Sequence, residues 1–141
     1  MPGRFPYTKL AKYPHMRKED ILIWERFLFR YPIAYQTVDY DLRVGEGRAV
    51  VAPIEPEFEA DLKLLTQKRI DVVGYFADQI DIIEVKPRAA AGAIGQVLSY
   101  EHLYREASPA TTNLRKVIIT DRMDDDSKKV AKEFGVEVRE V

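Results

Sequence analysis

The sequence predicts an α/β fold in which a mixed central sheet is flanked by helices. Three observations lead there: an amphipathic helical stretch near the start, a central pair of short apolar runs around a polar turn, and alternating helix and strand patterns towards the end.

From Lys18 to Tyr31 the pattern is helical, with Ile21, Trp24, Leu28 and Tyr31 recurring at three-and-four spacing. Pro32 ends it, because a residue preceding proline is pushed out of the helical region. Residues 34–44, with Tyr35, Thr37, Val38 and Val44, alternate as a strand, and Gly45 and Gly47 mark a turn. Residues 48–67 are the least clear segment: Val50, Val51 and Ile54 suggest a short strand, and 57–67 a short helix. Ile70 to Phe76 and Ile80 to Val85, separated by Ala77-Asp78-Gln79, make a hairpin, and apolar residues at both parities imply that both faces are covered. Pro87 closes the second strand. Ala89 to Ala107 reads as a helix and Lys116 to Thr120 as a buried strand. The Asp124-Asp125-Asp126-Ser127 cluster caps a last helix that stops at Gly135, and Val136 and Val138 alternate with Glu137 and Arg139 as an edge strand.

With 141 residues, 46% hydrophobic and 32% charged, the composition is that of a single globular domain spanning residues 1–141 and excludes a disordered chain. No apolar run is long enough to cross a bilayer. The lack of cysteine excludes disulfides, thiolate metal sites and cysteine-held iron–sulfur clusters, and makes the cytoplasm the simplest location. A net charge of −1 gives no global electrostatic case for nucleic acid. Locally, residues 1–18 carry Arg4, Lys9, Lys12, Arg17 and Lys18 and no acid, among Phe5, Tyr7, Tyr13 and His15. Such an arm can track phosphates and stack on bases, or it can be an irregular strap packing its aromatics over the core.

Three ionisable residues interrupt the hairpin: Asp71, Glu84 and Lys86. A turn near Asp78 sets Asp71 opposite residues 84–86, and Glu84 and Lys86, two apart, project from one face. Two carboxylates and an ammonium amid Ile and Val are costly unless paired or bound to a metal. The combination suits phosphodiester hydrolysis: hard oxygens hold Mg²⁺, and a lysine orients water or stabilises phosphate charge. The bland reading is a Glu–Lys pair at a strand end, with Asp71 entering from solvent. Glu25 lies between Ile21 and Phe29 on the apolar arc of its helix, so it meets either the site or a neighbouring cation. Gln96 and Tyr100, four apart after Lys86, share the rim of a buried face, where an amide can position a water or a phosphate oxygen or simply bond a backbone carbonyl.

Arg69-Ile70-Asp71-Val72-Val73, Ile82-Ile83-Glu84-Val85-Lys86-Pro87, and Gly95-Gln96 with Tyr100 resemble the PD-(D/E)XK nuclease superfamily, in its RecB-like Gln-x-x-x-Tyr branch. Ile70 stands where the family's proline is expected. The resemblance implies a restriction-endonuclease-like fold and hydrolysis of DNA with Mg²⁺ or Mn²⁺, leaving a 5′-phosphate. It implies Asp71, Glu84 and the Val85 backbone carbonyl as metal ligands, with Lys86 acting on the water. Gln96 would support the site and Glu25 complete it, while Tyr100 and the basic arm would meet DNA. Roles in repair, recombination or mobile-element processing are compatible with it, as are work as a homodimer and work within a larger complex. A module that keeps the fold and binds nucleic acid without turnover is the alternative.

Overall fold

The computed structural model describes residues 2–47 and 66–141. The strand and helix expected within 48–67 lie, up to Leu65, outside the described residues. The elements are β1 (Phe5–Pro6), α1 (Lys18–Arg30), β2 (Thr37–Val44), β3 (Lys68–Phe76), β4 (Gln79–Val85), α2 (Ala91–Ala107), β5 (Leu114–Thr120), α3 (Asp125–Glu133) and β6 (Val136–Glu140). The described strands form a six-stranded sheet in sequential order. β1 to β4 are antiparallel; β5 and β6 add parallel to β4, connected by the crossover helices α2 and α3. Among the described residues no helix is long and apolar enough to cross a membrane.

Both faces of the sheet are covered, as the two-parity apolar pattern of the hairpin requires. On one face Ile82, Val73, Tyr75 and Ile118 pack against Ala93, Ile94, Val97 and Tyr100 of α2 and Ala131 of α3. On the other, Val72, Ile83, Val85 and Ile119 pack against Ile23, Trp24 and Phe27 of α1. Residues 2–17 are the strap of the two sequence readings: Phe5, Tyr7, Leu10, Tyr13 and Met16 join that second core. Arg4 is fastened to Asp39, through its backbone N–H at 3.0 Å and its Nε at 2.8 Å. Tyr7 donates to the Tyr31 carbonyl at 2.6 Å.

Capping at Asp124 is as the sequence suggests: its carboxylate accepts from the Ser127 N–H at 2.8 Å, and Gly135 ends the segment with φ +66°. α1 buries Ile23, Trp24 and Phe27, while Phe29, placed on the apolar arc from sequence, is 90% exposed. The hairpin also holds a fourth charge that the sequence reading passes over. Asp81 is 1% exposed, accepts both Nε (2.8 Å) and Nη2 (2.9 Å) of Arg115, and takes the Tyr35 hydroxyl at 2.6 Å. It is a structural ion pair beneath α1.

Gly74 is required by a close approach. A Cβ there would stand 2.6 Å from the Tyr35 ring. Gly74→Ala is therefore expected to cost about 1–3 kcal/mol by overpacking, measurable as a lower urea midpoint with an unchanged m-value.

Candidate active site

The β3–β4 hairpin turns at Ala77-Asp78, with Phe76 opposite Gln79 and pairing that runs to Val72↔Ile83. Continuing that register by one step sets Asp71 opposite Glu84, but the ladder stops before them. On the other side of β3, pairing with β2 runs from Thr37↔Tyr75 to Tyr40↔Val72 and resumes at Leu42↔Ile70. The skipped step is Asp41 opposite Asp71, and Asp41 has φ +52°. Residues of one parity change faces across this break: Val38, Tyr40 and Val72 belong to the α1-side core, Val44 and Ile70 to the α2-side core. A left-handed residue within a strand locally disrupts pairing and re-aims side chains, as bulges beside active sites do. Asp71 thus sits where both of its ladders open.

Its carboxylate fills part of that opening, with Oδ2 accepting the Val85 N–H at 2.9 Å. Glu84, which is 4% exposed, stands beside it, close enough for each carboxyl group to act on the other's proton affinity. Burial raises Asp71 above the ordinary carboxylate range against the lowering effects of Glu84, Val85 and Lys86. Burial, followed by the neighbouring Asp71, pushes Glu84 up to about 10. Lys86, exposed at the end of β4, pulls both downwards.

The segment after Lys86 is pinned. The Lys86 N–H donates to the Ile119 carbonyl at 3.0 Å, the Arg88 N–H to Asp121 at 2.7 Å, and the Ala89 N–H to Thr120 Oγ1 at 3.0 Å. Arg88 has φ +45°, a conformation held by that bond to Asp121. The chain then enters α2, which returns Gln96 and Tyr100 to the carboxyl pair. Gln96 is exposed and lines the cleft beside Tyr100; Tyr100 is buried and raised by desolvation and by the Glu84 and Asp71 charges.

Together these elements enclose a polar cleft of about 310 Å³. β3 and β4 supply Asp71, Glu84 and Lys86, α2 supplies Gln96 and Tyr100, and the start of α1 supplies Arg17, Glu19 and Asp20. Glu25 does not join them. It accepts a hydrogen bond from the Tyr13 hydroxyl at 3.0 Å and lines outer grooves beside Leu28 and Phe29. The acid that α1 delivers is Asp20, raised by burial and then by the Asp71 and Glu19 charges. The sequence did contain the signal: Asp20, Trp24 and Phe27 follow i, i+4, i+7 on the buried face. Acids in a first helical turn also complement the helix dipole, so the position alone does not mark a site. Of the basic arm, Arg17 reaches the cleft, Lys9, Lys12 and Lys18 are exposed elsewhere on the surface, and Arg4 is taken by Asp39.

The carboxyl pair makes a stability prediction with a definite sign. The folded, metal-free protein binds more protons than the unfolded chain from the ordinary carboxylate range, roughly pH 4–5, up to the folded value near 10. Stability in that window therefore falls as pH rises. In chelator, the thermal midpoint is expected to drop between roughly pH 5 and 9, and Glu84→Gln to flatten the slope. A wild-type profile as flat as that of the variant would rule out the raised proton affinity of Glu84.

Among the described residues no three histidine or acidic side chains form a ready-made metal cage. What the site offers is two adjacent carboxylates with Asp20 in electrostatic reach.

No family model and no curated protein matches the chain. Solved structures do. A repair endonuclease from Pyrococcus abyssi is 18% identical, with a TM-score of 0.51 over 93% of this chain and 49% of that one. EndoMS in its complex with double-stranded DNA is 17% identical, with a TM-score of 0.51 over 94% and 49%. A protein of unknown function is 13% identical, with a TM-score of 0.52 over 81% and 52%. This chain thus shares its mixed sheet and flanking helices with endonuclease structures and spans about half the length of those it matches.

Proposed function

We propose that the chain is a nuclease module of the PD-(D/E)XK kind that hydrolyses DNA phosphodiester bonds with Mg²⁺ or Mn²⁺. The observation that carries this is the Asp71–Glu84 carboxyl pair, set at a break in two strand ladders with Lys86 beside it. Its fold likeness to repair endonucleases agrees with the reading and favours a role in DNA repair.

The donor set fits a hard divalent cation. Two carboxylates side by side in a buried place are costly unless a cation compensates them, and hard divalent ions take oxygen ligands while keeping several waters. Asp71, Glu84 and the Val85 carbonyl would hold the ion, with Asp20 adding charge from α1. When bound, the ion polarises a phosphoryl oxygen and lowers the pKa of coordinated water. The remaining work falls to side chains of this chain. The Lys86 ammonium orients the attacking water and stabilises charge on the phosphate. The Gln96 amide, beside Tyr100 on the α2 wall of the cleft, supplies a donor and an acceptor at the rim. Arg17, at the mouth of the cleft, meets a flanking phosphate, and Lys9, Lys12 and Lys18 add long-range attraction.

Incubating the protein with labelled single-stranded, duplex and branched DNA and with RNA, in chelator, Mg²⁺ or Mn²⁺, tests the proposal. Metal-dependent cleavage of DNA is the expected result. Salt-dependent binding with every substrate left intact under both metals would overturn it in favour of a silent binding module.

A further inference from the structure

The outer face of α1 carries an apolar stripe that the described residues leave exposed: Leu22 is 59% exposed and Phe29 90%, and Ile33, just beyond the helix, 84%. Large apolar side chains aligned on one helix face are unlike scattered surface hydrophobes, which need no explanation. A groove of about 480 Å³ runs between Leu22 and Phe29, and a second of about 500 Å³ lies on the strap side of Phe29.

The charges beside the stripe say what covers it. At 100° per residue, Lys18 and Glu25 fall on one flank of the Leu22–Phe29 line, and Glu19 and Arg26 on the other. Their order along the axis is positive then negative on the first flank, and negative then positive on the second. Two copies of this helix laid side by side and parallel, about a two-fold axis along the helices, place the first flank against the second. Lys18 then faces Glu19 of the other copy, Glu25 faces Arg26, and Leu22 and Phe29 meet their own counterparts. An antiparallel pair centred on the stripe sets Glu25 against Glu25 and Arg26 against Arg26, which is repulsive.

We infer that this face of α1 is an isologous, parallel dimer interface between two copies of the chain. Its pattern is self-complementary, as a two-fold contact demands. The interface is small, so the equilibrium is expected in the micromolar range. The arrangement has a further consequence that rests on the proposed nuclease function. Both α1 N-termini lie at one end of the pair, so the two clefts, each edged by Arg17, Glu19 and Asp20, open at the same end. Two phosphodiester bonds of one substrate then come within reach of one dimer.

Sedimentation velocity on the whole chain, from about 1 to about 200 µM, tests the interface without reference to cleavage. The wild type should pass from monomer to dimer over this range, and Phe29→Glu should remain a monomer. Circular dichroism should show Phe29→Glu fully folded, since the ring is almost wholly exposed. Glu25→Arg and Arg26→Glu should each weaken the dimer about tenfold, and the double variant should regain most of the loss. A wild type that stays monomeric at the highest concentration, or a dimer indifferent to Phe29→Glu, overturns the inference. So does a dimer that Glu25→Arg leaves unchanged or that Glu25→Gln strengthens, the latter being the mark of antiparallel pairing.

Discussion

Lys86→Ala is expected to lower metal-dependent DNA cleavage by about 10³-fold, with Asp71→Asn at least as severe. The reasoning begins with placement. Lys86 is exposed at the end of β4, next to two carboxyl groups whose proton affinity its charge lowers. An ammonium there acts on the group that moves in the reaction, and its removal leaves the fold intact because its side chain is not part of either core. Asp71 differs: Oδ2 also accepts the Val85 N–H, so Asp71→Asn keeps an acceptor oxygen for that bond while removing the charge. Single-turnover cleavage rates read the effect. DNA affinity measured in chelator should stay within a few-fold of wild type, which separates lost chemistry from lost binding. Cleavage by both variants at wild-type rates would show that the hairpin charges are structural.

Arg115→Ala is expected to destabilise the protein by about 3–5 kcal/mol, lowering the thermal midpoint by about 10 °C. Asp81 is 1% exposed, and Arg115 supplies two of its hydrogen bonds at 2.8 and 2.9 Å, leaving Tyr35 and a distant Gln79 contact at 3.4 Å when it is removed. The cost is that of stranding a buried carboxylate, so it should shrink when both partners are replaced. Asp81→Leu with Arg115→Met is expected to recover most of the stability, because apolar groups of similar size carry no desolvation penalty. Chemical denaturation of the two single variants and the double variant completes the cycle. Cleavage should persist in whatever fraction is folded, since neither Asp81 nor Arg115 lines the cleft.

Much of this protein was legible in its residues. Apolar runs at both parities announced a sheet covered on both sides, Pro32 and Pro87 marked where α1 and β4 stop, and the Asp124–Ser127 cluster marked the start of α3. Local patterns of this kind arise from covalent geometry and period, which neighbours in the chain are enough to set. Even the convergence of Asp71 with Glu84 followed from a short hairpin, because a two-residue turn dictates register.

Three things needed the assembled fold. Which acid α1 presents was one: Glu25 and Asp20 are both credible on a wheel, and the choice of Asp20 depends on how Trp24 and Phe27 lock the helix against β4 and β5. The second was whether residues 2–17 face a ligand or the core, which the docking of Phe5, Tyr7 and Tyr13 and the Arg4–Asp39 pair decided. The last was the break at Asp41 opposite Asp71, which no local propensity signals, since an aspartate within a strand pattern does not declare a positive φ. Sequence by itself determined which charges this protein places within its sheet. Tertiary packing decided which of them meet, because helix rotation, strap docking and ladder breaks depend on contacts between residues far apart in the chain.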